Sequence, residues 1–243
     1  MDHAKLSRLF LLHPSMKQLI LDLPPTQPAN LENFIEGRNA ELLARLRDLL
    51  EEQSNERLVY LWGASGSGKT HLLKGFTDAA CRYGLNAEYV TDGMIHDLTA
   101  GAVVALDDVQ RLDDPAQISL FNLYNQVHEG SGVLLVSGDR APAQLDLRQD
   151  LVTRLGWGLV YQVHPLTDKE KVEALQTRAK ARGFQLTREV TVYLLRHWQR
   201  DLPSLIAVLD ALDSYSLETK RPITVPLLRE ILQPAAPPSG MSS

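Results

Sequence analysis

The apolar residues of this chain change their spacing several times, and those changes mark out its elements. Leu42, Leu43, Leu46, Leu49 and Leu50 recur at helical spacing and predict a helix over Asn39–Gln53. Short apolar runs then take turns with longer helix-period segments. Leu58–Trp62, Ala87–Val90, Val103–Leu106, Val133–Ser137 and Leu159–Val163 read as strands, and Lys69–Tyr83, Pro115–Glu129 and Leu147–Leu155 read as helices. Alternation of this kind implies right-handed crossovers and a mostly parallel sheet. After Pro165 the strand signal stops. Thr167–Arg182, Thr187–Gln199, Asp201–Glu218 and Val225–Leu232 all carry helical spacing. Thr167 with Glu170 has the form of a capping box, and Asp201 caps a helix with Pro203 in its first turn.

The expected fold class is therefore α/β, a parallel sheet flanked by helices and followed by a small all-α domain. The Pro-rich stretch 24–30 separates residues 16–23 from the body. This gives an N-terminal arm over 1–30, an α/β domain over 31–165, a helical domain over 166–233 and a disordered tail over 234–243.

Composition narrows the class. With 25 basic and 30 acidic residues the net charge is −5, which disfavours autonomous nucleic-acid binding. The single cysteine, Cys81, excludes an internal disulfide and is expected to be a packed, inert thiol on its helix. No apolar run reaches membrane-spanning length. Lys5 and Arg8 precede Leu9–Leu12, but that core is too short for a signal peptide and no small-residue cleavage site follows. With Met16 opening the next informative stretch, residues 1–15 read as a start-codon artefact or a dispensable extension. The expected compartment is the cytoplasm.

The candidate chemistry sits at strand ends. Gly63-Ala64-Ser65-Gly66-Ser67-Gly68-Lys69-Thr70 matches the phosphate-loop pattern at each fixed position, with an apolar strand before it and a helix after it. Its glycines let backbone N–H groups turn onto phosphate oxygens, and the helix N-terminus adds the positive end of its dipole. Lys69 is expected to reach the β- and γ-phosphates and the Thr70 hydroxyl to coordinate Mg²⁺. Asp107 and Asp108 end the strand Val103–Leu106, where a phosphate-loop fold needs an acid for the metal. Asp107 is the expected Mg²⁺ ligand. Asp108 either orients a water or caps the next turn. Asp139, after Val133–Ser137, either senses the γ-phosphate or shapes a Gly-Asp turn. Arg154, before Gly156-Trp157-Gly158, is either a surface arginine or one that acts in trans on a neighbour's phosphates. His71 and Trp62 flank the loop, where packing accounts for both. The arm carries Lys17-Gln18-Leu19-Ile20-Leu21-Asp22-Leu23, either a tethered docking peptide or an edge strand.

Taken together, five segments resemble the DnaA/Hda family of AAA+ ATPases from Asn33 to about Leu232. They are Asn33-Phe34-Ile35-Glu36-Gly37, the phosphate loop continued by His71-Leu72-Leu73, Leu106-Asp107-Asp108-Val109-Gln110, Ser137-Gly138-Asp139-Arg140, and Thr153-Arg154-Leu155-Gly156-Trp157-Gly158. The resemblance implies an AAA+ core with a helical lid. It implies an ADP (or ATP) and Mg²⁺ site in which Phe34 and Ile35 border the adenine and His71 adjoins the loop. It also implies that Asp139 is the first sensor and Arg154 an arginine finger.

Three features place the resemblance on the regulatory-inactivator side of the family. The last element read is the lid, so no origin-reading helix-turn-helix is expected. The stretch Arg111-Leu112-Asp113-Asp114-Pro115 is largely acidic where initiators carry basic residues for single-stranded DNA. The arm is similar to a sliding-clamp-binding hexapeptide, with Gln18, Leu19, Leu21 and Leu23 at its fixed positions and Asp22 where proline is common. The implied mechanism is an ADP-bound protein that docks on the DNA-loaded clamp of DNA polymerase III (its beta subunit). There it contacts ATP-bound DnaA, and Arg154 promotes hydrolysis of that ATP. DNA is met only through the clamp, and AAA+ edges allow a homo-oligomer. Pro203 stands where the family's lid carries a second sensor arginine, with Arg200 about one turn away. ADP occupancy and little self-sustained turnover are therefore expected. The alternatives are a self-sufficient, helicase-loader-like AAA+ ATPase and an adaptor whose nucleotide is structural.

Overall fold

In the strand Leu58–Trp62, residues that point to opposite sides are equally buried, which requires a cover on each face of its sheet. The computed structural model describes residues 28–51, 55–91, 102–198 and 201–232. The hexapeptide at 18–23, the tail from 234 and Arg200 lie outside them. The described residues divide into two compact units, one from Pro28 to Thr167 and one from Asp168 onward.

The first unit runs α1 (Ala40–Leu50), β1 (Leu58–Trp62), α2 (Lys69–Arg82), β2 (Ala87–Val90), β3 (Val103–Leu106), α3 (Asp114–Glu129), β4 (Val133–Gly138), α4 (Gln149–Leu155) and β5 (Leu159–Gln162). The strands form one parallel sheet in the order β2-β3-β4-β1-β5. Leu58 pairs with Leu134 and Val104 with Leu134, so side chains of one parity line up across strands. Leu58, Tyr60, Val104, Leu106, Leu134 and Val136 pack under Leu120 and Tyr124 of α3 and Leu151 of α4. Val59, Leu61, Ala105 and Leu135 pack instead under Leu43 and Leu46 of α1 and Leu72 and Phe76 of α2. Each buried Leu, Val or Phe among them contributes roughly 1.5–3 kcal/mol. Both faces being occupied, all the chemistry is left to the strand ends.

Local signals set the helix starts. The Asp113 side chain accepts from Ala116 N at 3.0 Å, with Pro115 in the first turn of α3. The helix expected from Leu147 begins at Gln149, because Arg148 is still extended (ψ 132°). Cys81 is exposed, correcting the expectation of a packed thiol. The buried stripe of α2 is Leu72, Leu73, Phe76, Ala79 and Ala80, and Cys81 falls outside it.

The second unit contains α5 (Asp168–Ala181), α6 (Arg188–His197), α7 (Leu202–Thr219) and α8 (Val225–Leu232). Leu175, Leu194, Leu205, Leu209 and Leu228 form its core. Asp201 accepts from Ser204 N at 2.9 Å, as its sequence context predicts. Thr187 caps α6 through Val190 N at 3.4 Å. Arg182 on the turn after α5 meets Asp210 of α7 at 3.0 Å and Asp213 at 3.6 Å, pinning the two helices together. No described helix is long and apolar enough to cross a membrane.

Candidate phosphate-binding site

β1, β4 and β3 are neighbours, so the loop after β1, the end of β4 and the two aspartates after β3 converge at the same edge of the sheet. Gly63 N donates to Gly138 O at 3.3 Å, tying the start of the loop to the end of β4. Gly66 (φ 75°) and Gly68 (φ 106°) take left-handed backbone conformations that turn the chain sharply into α2. The first free N–H groups of α2 thereby face the loop, the arrangement that suits an anion.

Side chains complete the site. Lys69, only 8% exposed, curls its Nζ back onto Gly63 O at 2.7 Å and Ala64 O at 3.2 Å. The buried Ser67 Oγ has no hydrogen-bond partner. A buried hydroxyl and a buried ammonium held only by loop carbonyls fit a ligand rich in acceptor oxygens. Thr70 Oγ1 donates to Asp107 Oδ2 at 2.6 Å. One hydroxyl and one carboxylate are a donor set Mg²⁺ accepts, since it takes one or two protein oxygens and completes its shell with phosphates and water. These residues fit a nucleotide phosphate with Mg²⁺: Lys69 and the loop for the phosphates, Thr70 and Asp107 for the metal.

Asp107 is held from three sides. Ser137 Oγ donates to its Oδ1, and Tyr89 OH donates to Oδ2 at 2.8 Å, beside the Thr70 contact. Ser137 Oγ also accepts from Asp108 N at 3.0 Å. Asp108 itself sits at φ 54°, uncommon for a residue with a Cβ, and its carboxylate meets Gln110 Nε2 at 3.0 Å and Arg111 at 3.7 Å. Asp139 pairs with its neighbour Arg140 at 2.8 Å. That hydrogen bond, helped by the positive charges of Arg140 and Lys69, holds its carboxyl below the usual carboxylate range. Tyr60 OH donates to Arg140 O at 2.8 Å, and burial, reinforced by the Asp139 charge, keeps the phenol protonated.

Phe34 lies on the loop: a Cβ added to Gly68 would come within 2.7 Å of Phe34 Cε2. Its ring meets His71 edge-on at 5.5 Å. His71 Nε2 is 3.0 Å from Asn30 O and 2.8 Å from Asn33 Oδ1. Both partners are acceptors, so Nε2 carries the proton, and burial lowers the ring's pKa. Ile35 is half-buried in the same segment. Asn39, 3% exposed, fixes the base of this segment by accepting from His164 N at 2.8 Å and donating to His164 O at 3.0 Å.

Arg154, in the last turn of α4, lies elsewhere in the unit. Its guanidinium carbon is 4.5 Å from the ring centroids of both Phe121 and Trp157. Among the described residues no carboxylate pairs with it, and its Nε is buried without a partner.

The structure thus brings together Gly63, Ser67, Gly68, Lys69, Thr70, Asp107 and, through Lys69, Asp139. Tyr89, Ser137 and Asn39 complete it, and no spacing rule singles out their roles. Each acts through a side chain whose partner lies 18, 30 or 125 residues away.

Comparison with known proteins bears on the family and the fold. Residues 92–162 match the bacterial DnaA ATPase domain and residues 168–232 match the Hda lid domain. An uncharacterised protein of Haemophilus influenzae is 36% identical over 231 residues, covering 89% of this chain and 98% of its own. Domain III of the replication initiation protein DnaA from Thermotoga maritima superposes with a TM-score of 0.66 at 22% identity, covering 86% of this chain and 100% of its own. AMPPCP-bound DnaA from Aquifex aeolicus gives 0.63 at 24% identity, covering 79% of this chain and 68% of its own. At these identities the two structures speak for the fold.

Proposed function

Because the chain belongs to the Hda/DnaA-related family of AAA+ proteins, we propose that it switches off chromosome replication initiation by making DnaA hydrolyse its ATP. At the coarser level it is a DnaA-related replication regulator with a nucleotide-binding AAA+ core. In the finer reading it acts in the cytoplasm and holds ADP at Gly63–Thr70, with Thr70 and Asp107 on Mg²⁺. The metal supplies charge neutralisation at the phosphates. The arm at Gln18–Leu23 docks on the DNA-loaded sliding clamp, which supplies the location that a chain of net charge −5 does not find on DNA. Pro203, unable to contact a γ-phosphate, leaves the lid indifferent to ATP versus ADP.

The observation that carries the reading is the state of Arg154. Two ring contacts, worth about 0.5–1 kcal/mol each at a partly exposed site, position the guanidinium. No carboxylate of the described chain neutralises it. An arginine that is positioned yet unpaired is poised for an anion supplied by another molecule, here the γ-phosphate of DnaA-bound ATP.

The test is hydrolysis of ATP in a mixture of this protein, ATP-loaded DnaA and clamp on DNA. Arg154→Ala should cut the stimulated rate by roughly 10³-fold or more while leaving clamp capture intact. Full stimulation by that variant would remove Arg154 from the mechanism. Robust turnover by the purified protein alone would favour the self-sufficient ATPase, a reading to which the Lys69, Thr70 and Asp107 arrangement also lends itself. Clamp capture that survives Gln18→Ala with Leu19→Ala would rule out the hexapeptide as the docking element.

A further inference from the structure

We propose that Tyr89 is a positioning residue of the magnesium–nucleotide site, acting through Asp107; the inference rests on the nucleotide reading of Gly63–Thr70. Tyr89 lies on β2, the edge strand beyond β3, outside the phosphate loop and both aspartate-bearing strand ends. In the parallel register it stands opposite Ala105, two residues before Asp107. Its long side chain spans that offset, and the hydroxyl donates to Asp107 Oδ2 at 2.8 Å.

The choice of oxygen matters. Ser137 holds Oδ1, and with that bond alone the carboxylate keeps a rotational freedom about its Cβ–Cγ bond. A donor on Oδ2 removes it. Thr70 also donates to Oδ2, but its oxygen is the one expected to turn to the metal, so Tyr89 is the donor that would hold Oδ2 with Mg²⁺ in place. That same Oδ2 is the atom 2.6 Å from Thr70 Oγ1, the other expected metal-site oxygen. Tyr89 therefore fixes the oxygen whose direction toward the loop decides the metal geometry. A half-buried phenol needs some hydrogen-bond partner, and packing alone would be satisfied by any of them. Here the hydroxyl donates to the acidic group of the site, and the ring is itself steadied, with Lys74 Nζ of α2 at 4.9 Å from its centroid. A carboxylate offers about four lone-pair sites, so three hydroxyls still leave one for a metal or its water.

Partners of this kind, one bond removed from the metal, typically cost 10–100-fold in metal affinity when lost. The experiment uses the full chain and a fluorescent N-methylanthraniloyl ADP. Affinity is measured once in EDTA, and Mg²⁺ is then titrated at fixed nucleotide. Tyr89→Phe keeps the ring and removes the hydroxyl. It should raise the Mg²⁺ midpoint roughly tenfold or more and leave the EDTA affinity within about twofold. Lys74→Ala, which keeps the hydroxyl, should hold the unaltered midpoint. An unchanged midpoint in Tyr89→Phe overturns the proposal, and so does an equal loss with and without Mg²⁺, the signature of a loosened strand. If the unaltered protein binds the probe in neither buffer, the nucleotide reading itself fails and the proposal goes with it. Binding that ignores Mg²⁺ leaves the phosphate-loop reading standing and overturns the magnesium site together with the role given to Tyr89.

Discussion

Ser137 offers the sharpest check on how the aspartate pair is built. Its hydroxyl is fully buried and used twice, donating to Asp107 Oδ1 and accepting from Asp108 N at 3.0 Å. Ser137→Ala removes both bonds without opening a cavity larger than an oxygen atom. Losing a hydrogen bond to a charged group costs about 1.5–3 kcal/mol, and a buried N–H left unpaired about 1–3 kcal/mol. Asp108, released from φ 54°, recovers roughly 1 kcal/mol by relaxing. The expected net loss is about 1.5–5 kcal/mol. Because the described chain has two compact units, a single unfolding transition is a poor gauge. Native-state hydrogen exchange of β3 and β4 amides reads the α/β unit by itself. Ser119→Ala, which removes an exposed bond to Pro115 O at 3.1 Å on α3, is the matched control and should stay within about 0.5 kcal/mol. Combining Ser137→Ala with Asp107→Asn should show a coupling of at least about 0.5 kcal/mol. A Ser137→Ala loss no larger than that of the control would refute the idea that this hydroxyl organises the site.

Two further predictions concern the loop and its flank. Gly68→Ala forces a Cβ into φ 106° and to within 2.7 Å of Phe34 Cε2, so ADP affinity by fluorescence titration should fall roughly tenfold or more, equivalent to about 1.4 kcal/mol. Adding Phe34→Ala should return part of that loss, the steric part, and not the part due to the backbone. His71, its pKa lowered from 6.5 by burial, favours the neutral ring in the fold. The unfolded chain therefore takes up a proton first as pH falls, and the stabilisation present above pH 6.5 drains away below it. Urea midpoints of the α/β unit, followed at its own residues by NMR between pH 8 and pH 5, should drop less steeply in His71→Gln than in the unaltered chain. Parallel slopes would assign the acid sensitivity elsewhere.

Much of this molecule was legible in one dimension. The phosphate loop is a contiguous pattern whose backbone demands are written as Gly66 and Gly68, and both adopt the left-handed angles such a turn needs. β1 and β3 fall on the apolar runs that predict them, because a strand covered on both faces must be apolar throughout, and the edge strand β2 falls on its predicted span although Glu88 is exposed. Asp201 caps its helix as expected, since a cap is a contact between residues three apart. The thiol of Cys81 shows the limit of such reading, because a helix's buried face depends on what packs against it.

What the sequence by itself determined, then, is the order of elements, the phosphate loop and the two aspartates, all consequences of local spacing. Only the tertiary structure decided which atoms hold Asp107. β2 lies beside β3, and β4 lies on its other side, so Tyr89 and Ser137 reach opposite oxygens of one carboxylate. The same holds for Arg154, whose flanking rings come from α3 and from the turn after α4. Those arrangements follow from strand order and helix packing. These are set by the burial of two sheet faces at once and leave no signature in the spacing of the residues themselves.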